Sequence, residues 1–222
     1  AARCRPGTEL KQFIEKNLDM FDSHAKALNR VLECGGQLTV EELIGLARIH
    51  WLVGYMKADK VSKWERSNNA LAEDARAHMV SAINIMQQHR NELGLLGNYY
   101  IGRVRHAYVS SLYNTHEDSL CNDPAARERF VEDVLNKEYF DNIEAILEVT
   151  PSDMFVIRNS MLARAVTSNI EEMRSLLARL VKIDSRFSDP DFRPSINTPA
   201  LSEEPILAPF INDVFSIIQH ED

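Results

Sequence analysis

Three histidines lie at equal intervals in the first half of the chain. His50, His78 and His106 are each 28 residues from the next, and each follows an arginine by one or two positions. Asp74 precedes His78 by one helical turn. Three imidazoles and a carboxylate would suit zinc, iron or copper, so these four residues are a candidate metal site. The alternative, which we favour, is a set of ordinary, partly buried histidines, because no Glu-x-x-His pair of the di-iron kind accompanies them.

Aromatic and basic side chains cluster in the middle of the chain. Four of the six tyrosines lie between Tyr99 and Tyr113. Tyrosine and arginine are enriched at the energetic centres of protein interfaces, but tyrosines also pack where helices cross. Packing is the more common of these two roles. The candidate partner-binding residues in this stretch are Tyr99, Tyr100, Arg103, Arg105 and Tyr108.

A second apolar group lies close to the C-terminus, after a stretch that holds five of the eight prolines. At helical spacing, its residues share one face, opposite Asn212, Asp213 and Ser216. We expect this helix to pack back on its own domain, although exchange between protomers or binding in a partner's groove remain open. Its candidate binding residues are Phe210, Ile211, Val214, Phe215 and Ile218.

Three lysines near Trp64 form a small basic cluster, made of Lys57, Lys60 and Lys63. Such a cluster could contact a phosphate group or the surface of an anionic membrane. Asp59 and Glu65 lie among the lysines, however, and mixed charge favours a solvated helix end.

No enzyme motif occurs in the sequence. A P-loop, GxGxxG, GxSxG, HExxH and the protein-kinase motifs are all absent. The three cysteines are widely spaced and include no CxxC pair, which indicates free thiols and a reducing compartment. We therefore predict no catalytic residue and no cofactor, and lean against an enzyme.

The elements that must position these residues are helices. Apolar residues recur at three- and four-residue spacing through most of the chain, and the last glycine is Gly102. Four start signals support this pattern: Thr39 with Glu42, Asp123-Pro124, Thr150-Pro151 with Asp153, and Ser168 with Glu171. The prediction is an all-α protein, built as a bundle or short stack of six to eight helices with a Pro-rich linker and a C-terminal amphipathic helix.

Three segments follow from these signals. Residues 1–184 are predicted to form a helical domain, with a possible subdivision near 115–123. Residues 185–209 are predicted to be a Pro-rich irregular linker. Residues 210–219 are predicted to be the C-terminal amphipathic helix.

Composition and charge narrow the classes of function. Residues 1–100 carry 13 Lys and Arg against 12 Asp and Glu, whereas residues 101–222 carry 12 against 21. An acidic second half with no basic stripe argues against a nucleic-acid partner. The longest apolar run, WLVGYM at 51–56, is far shorter than a membrane span. From the free thiols we expect an intracellular, cytoplasmic protein.

Taken together, these features favour a soluble helical module that binds another protein, as an adaptor, a regulatory subunit or an effector domain of a larger chain. The alternative is a helical protein that holds a small ligand, a lipid or a metal in its core. The sequence does not identify the partner or the oligomeric state.

Overall fold

The computed structural model describes residues 6–65, 67–195 and 198–216. Its α-helices are α1 (Pro6–Glu33), α2 (Val40–Trp64), α3 (Asn69–Gln88), α4 (Gly97–Asn122), α5 (Pro124–Asp133), α6 (Lys137–Val149), α7 (Met154–Val166), α8 (Ile170–Ile183) and α9 (Ile211–Phe215). Short 3₁₀ helices span Gly94–Leu96, Ser185–Ser188, Leu201–Glu203 and Ala208–Phe210. Within the described ranges, the only β pairing is an isolated bridge between Ser195 and Thr198. The prediction of an all-α fold is confirmed.

Two of the predicted helix starts are confirmed in detail. The Thr39 hydroxyl accepts a hydrogen bond from the Glu42 amide at 3.2 Å, and the Glu42 carboxylate accepts one from the Thr39 amide at 2.8 Å. The Asp123 carboxylate accepts hydrogen bonds from the amides of Ala125 and Ala126, and Pro124 is the first residue of α5. These side chains satisfy amides that a helix N-terminus otherwise leaves unpaired.

Two other predicted starts are wrong by one to three residues. The Thr150 hydroxyl donates a hydrogen bond to the Ile146 carbonyl at 2.9 Å, so Thr150 closes α6 and cannot cap α7. Asp153 caps α7 instead, because its carboxylate accepts from the Val156 amide. Ser168 has a positive φ of 55° in the turn after α7, and Asn169 is the residue that caps α8.

The chain forms two compact units, Ala1–Thr115 (unit 1) and His116–Asp222 (unit 2). The boundary lies at the start of the 115–123 stretch, where the sequence suggested a possible subdivision. In unit 1, α1 packs on α2 through Leu18, Val53 and Met56. A second apolar cluster joins α2, α3 and α4 and consists of Ala47, Met79, Ala82, Ile83, Met86, Ile101 and Val104.

Gly54 brings α2 and α3 unusually close together in unit 1. A methyl group built on Gly54 would lie 2.8 Å from the Ala75 carbonyl oxygen and 2.8 Å from Cγ of Met79. Glycine is therefore required here by the space available, although it weakens a helix interior. The close approach also sets the distance between the polar side chains that α2 and α3 carry on either side of it.

Unit 2 is built around α7, which is buried along nearly its whole length after the first turn. Buried residues of α8 and of the chain that follows complete this core: Met173, Leu177, Leu180, Phe187, Leu201, Leu207, Val214 and Phe215. Arg158 of α7 is buried and donates to a carboxylate oxygen of Glu204 at 2.5 Å. The Pro-rich 185–209 segment thus contributes buried side chains to unit 2. Residues 217–219 of the predicted terminal helix lie outside the described part.

Candidate functional site

Lys57 lies at the centre of a polar network between α1, α2 and α3. Its Nζ atom is 2.6 Å from Oδ2 of Asp74, 3.1 Å from Nε2 of His78 and 3.2 Å from Oδ1 of Asp22. A lysine ammonium group can only donate, and both carboxylates accept from it. Nε2 of His78 lies 3.1 Å from Lys57 Nζ and also 3.1 Å from Oδ1 of Asp22. The Lys57 side chain is 5% exposed, whereas that of Asp74 is 52% exposed. The network therefore reaches solvent through Asp74.

Two buried histidines extend this network away from Lys57. Nδ1 of His78 is 2.8 Å from Nδ1 of His50, and Nε2 of His50 is 3.5 Å from Oδ1 of Asn29 on α1. The contact between the two Nδ1 atoms needs one proton, which one ring donates and the other accepts. Nε2 of His50 is also 3.3 Å from Nδ2 of Asn29, so the Asn29 amide offers it both a donor and an acceptor. The two rings thus connect Lys57 and Asp22 to Asn29 through hydrogen bonds.

Burial and neighbouring charge shift three pKa values in this network. The pKa of His50 is lowered to about 4, mainly by burial and further by the nearby imidazole of His78. Burial and the Lys57 ammonium group also lower the pKa of His78, against the opposing effect of the carboxylates. Burial raises the pKa of Asp22, but hydrogen bonds from Lys26 and Lys57 outweigh it, so the net shift is downward. Neutral rings and an ionised Asp22 are therefore the stable state at neutral pH.

The structure brings together three of the four residues of the predicted metal set. His50, Asp74 and His78 belong to the Lys57 network, while His106 is buried on α4. The cation that these side chains surround is the Lys57 ammonium group. In the ranges that the structure describes, no group of His, Cys, Asp and Glu side chains is placed to hold a metal ion. Of the three equally spaced histidines, His50 and His78 are thus the two that contact each other.

The five α4 residues predicted to bind a partner are all half-buried: Tyr99, Tyr100, Arg103, Arg105 and Tyr108. The rings of Tyr99 and Tyr100 meet edge to face, with centroids 5.5 Å apart. The Arg48 guanidinium lies 5.8 Å from the centroid of the Tyr100 ring. Tyr100 and Tyr108 pack against the core of unit 1. These contacts account for the tyrosines through packing, and a role in partner binding stays a prediction.

The C-terminal candidate residues differ in exposure. Val214 and Phe215 are buried in unit 2, and Phe210 and Ile211 are half-buried. Ile218 lies outside the described residues. The Arg174 side chain donates two hydrogen bonds to the carbonyl oxygen of Asp213, at 2.7 and 2.9 Å. The two buried side chains are covered by unit 2, and partner binding by this segment stays a prediction.

The three lysines considered for membrane contact do not share one surface. Lys57 is buried in the network described above, so it cannot reach a membrane and this part of the prediction is wrong. Lys60 pairs with Glu65 at 3.1 Å. The Lys63 side chain lies outside the part that the structure describes. Among the helices of the described ranges, none combines the length and the apolar content that crossing a bilayer requires.

Among the described residues of unit 2, the large apolar side chains that are exposed lie where α6 ends and α7 begins. Val149, Met154 and Phe155 are 47%, 37% and 54% exposed, and we call these three residues the apolar corner. Arg179 of α8 donates to the Pro151 carbonyl oxygen at 3.0 Å and to that of Leu147 at 3.4 Å. The last turn of α6 and the turn that follows it are therefore both held to α8 by hydrogen bonds.

The sequence pattern does not mark the apolar corner. Apolar residues of α7 occur all around the helix, with a few polar residues among them, so periodicity cannot distinguish an exposed first turn from a buried remainder. The one available signal was the Asp153 cap. A helix that begins at Met154 places that residue and Phe155 in its first turn, at the surface end of a buried helix.

A row of carboxylates leads along α6 to this corner. Asp141, Glu144 and Glu148 are exposed and lie at helical spacing of three and four, so they share one face of α6. We call these three residues the acidic stripe. None of them has an ion-pair partner among the described residues. The stripe ends one residue before Val149.

Comparison with protein-family models, with curated proteins and with solved structures finds no match to this chain. Its function must therefore be inferred from its own geometry.

Proposed function

We propose that unit 2 binds another protein through the apolar corner. Apolar side chains scattered singly over a surface are ordinary, whereas a contiguous exposed apolar patch is typical of interaction sites. The observation that carries the proposal is the exposure of Val149, Met154 and Phe155, at 47%, 37% and 54%. Methionine and aromatic side chains are also enriched in protein interfaces.

The fixed backbone of the corner supports the same proposal. Arg179 holds the turn through the carbonyl oxygens of Leu147 and Pro151, and the Asp153 cap fixes the first turn of α7. A surface that is already ordered loses less conformational freedom when a partner binds. The three apolar side chains are thus displayed on a backbone suited to specific recognition.

Site-specific photo-crosslinking in cells tests this proposal. A photoreactive phenylalanine analogue replaces Phe155 in the full chain, and a matched variant carries it at Ser175, an exposed position of α8. We expect a discrete crosslinked product of higher mass from position 155 and none from position 175. Adding Val149→Ser and Met154→Ser to the first variant should remove that product, because the apolar contacts that hold the partner are lost.

Two outcomes would count against the proposal. Identical products from positions 155 and 175 would mean that crosslinking reports proximity in the cell rather than a binding surface. A product that persists in the Val149→Ser, Met154→Ser variant would mean that the corner does not contribute to binding. Circular dichroism of each purified variant checks that its helices are intact.

A further inference from the structure

We infer that the partner segment of the apolar corner is basic and amphipathic, with its lysines or arginines lying along the acidic stripe. This inference rests on the function proposed above and adds the chemistry of the partner. It follows from the exposure of Asp141, Glu144 and Glu148 along α6, the helix that ends at Val149 of the corner, and from the electrostatics of α6.

The acidic stripe presents a regular row of negative charge next to the corner. Its three carboxylates lie within eight residues of α6, and the rise from the first to the last is about 10 Å along the helix axis. Each is exposed, and the described residues provide none of them with a cationic partner. A ligand that covers both features needs apolar side chains at one end and positive charge beside them. A basic amphipathic segment has this arrangement.

The stripe is unfavourable for α6 itself. Asp141 and Glu144 are three residues apart and Glu144 and Glu148 are four apart, so neighbouring like charges repel one another. At the C-terminal end of α6, the Arg179 guanidinium of α8 already donates to the Leu147 carbonyl oxygen, so the helix dipole there has a cation. A cationic partner would relieve the repulsion within the stripe itself.

The charge of unit 2 as a whole points to the same class of partner. Residues 116–222 carry 10 Lys and Arg against 21 Asp and Glu, a net charge of −11. Such a field accelerates the approach of a positively charged segment and repels nucleic acids and anionic membranes. Of the macromolecules that could cover an apolar surface, a basic protein segment is the one that this charge favours.

Fluorescence anisotropy with synthetic peptides tests the inference on the full chain. The probes are a labelled amphipathic peptide of leucine and lysine, the same peptide with glutamate in place of lysine, and a leucine–lysine peptide of scrambled order. We expect the amphipathic basic peptide to bind most tightly, with an affinity that falls as salt is added. Met154→Ala with Phe155→Ala should weaken that binding, whereas Val80→Ala, at an exposed apolar site of α3, should not.

Variants with Glu→Gln substitutions distinguish the contribution of the acidic stripe to binding from that of the net charge of unit 2. Glu144→Gln with Glu148→Gln should weaken the basic peptide by about fivefold or more and reduce its salt dependence. Glu171→Gln with Glu172→Gln removes the same charge from the exposed first turn of α8 and should have little effect. Glu144→Gln with Glu148→Gln should also raise the melting temperature, because this pair of substitutions removes charge repulsion within α6.

Several results would overturn the inference. Equal weakening by the two pairs of Glu→Gln substitutions would assign binding to net charge alone. The basic and acidic peptides could bind with equal affinity, and Met154→Ala with Phe155→Ala could abolish the binding of both. That result would reject a basic partner while leaving the proposed function intact. Absence of binding to all three peptides would also reject the inference, and the crosslinking at position 155 would then decide the proposed function separately.

Discussion

His50 and His78 share a single hydrogen-bonding proton between their Nδ1 atoms, which lie 2.8 Å apart inside unit 1. Protonating the second ring would place two N–H groups against each other, in a site that also contains the Lys57 ammonium group. The two imidazoles are therefore compatible with the folded state only while both are neutral or one alone is charged.

The first prediction concerns the effect of acid on stability. His50 titrates near pH 6.5 when unfolded and near pH 4 when folded, so between these values the unfolded chain holds more protons. The stabilising contribution of the neutral ring is present above pH 6.5 and is lost as the pH falls towards 4. Urea unfolding across this window should show a loss of up to about 3 kcal/mol from His50.

Histidine variants check the assignment of this pH dependence. His50→Gln should flatten the decline in this window, whereas His24→Gln, on the exposed side of α1, should leave it unchanged. The lowered pKa of Asp22 acts in the same direction at lower pH, because its contribution is lost as the pH falls below 3.8. A wild-type chain with constant stability from pH 6.5 to 4 would contradict the buried histidine pair.

The second prediction compares two lysines that both pair with Asp22. Lys57→Met should lower the free energy of unfolding by about 3 kcal/mol, because it leaves a partly buried carboxylate and His78 without their cation. Lys26 is 72% exposed, and Lys26→Met should cost less than about 1 kcal/mol because solvent screens its ion pair. Chemical denaturation measures both values. Equal effects of the two substitutions would mean that Lys57 is not buried as described.

The third prediction compares two glycines of α2. Gly54→Ala should destabilise unit 1 by roughly 1–3 kcal/mol, because the added methyl group meets the backbone carbonyl of Ala75. Gly45 has open space around its Cα atom, and Gly45→Ala should be neutral or stabilising by up to about 1 kcal/mol. Thermal unfolding gives both values. Stabilisation by Gly54→Ala would show that α2 and α3 are further apart than described.

The fourth prediction compares neighbouring glutamates of unit 2. Glu204 pairs with buried Arg158, and Glu204→Gln should lower stability by about 2 kcal/mol because a buried guanidinium then lacks its counter-charge. Glu203 pairs with Arg193 at the surface, and Glu203→Gln should have a clearly smaller effect. Denaturant titration measures the loss of stability in each variant. A larger loss from Glu203→Gln than from Glu204→Gln would mean that Arg158 is exposed to solvent.

Local helix signals could be predicted from the sequence because they depend on neighbouring residues. The Thr39–Glu42 capping box and the Asp123-Pro124 start each involve atoms within three residues of one another. The start of α7 was misplaced because Thr150 has two possible uses. Its hydroxyl can cap the helix that follows or bond to the end of the helix that precedes. In the structure it donates to the Ile146 carbonyl oxygen of α6.

The candidate sites were less predictable because they depend on contacts between helices. The candidate metal set already grouped His50 with His78, but nothing local marked Lys57 as their neighbour. Its position among other lysines indicated a surface residue, and its burial requires acceptors from α1 and α3. The close approach at Gly54 is likewise set by Ala75 and Met79 on another helix.

The burial of Lys57 also makes its amine chemically protected. Reagents that acylate amines need an uncharged, accessible nitrogen, and Lys57 offers neither while its ammonium group is buried between the carboxylates of Asp22 and Asp74. Its modification therefore requires α1, α2 and α3 to separate transiently. The labelling rate of this one lysine, compared with that of exposed Lys26, would report the opening equilibrium of unit 1 under native conditions.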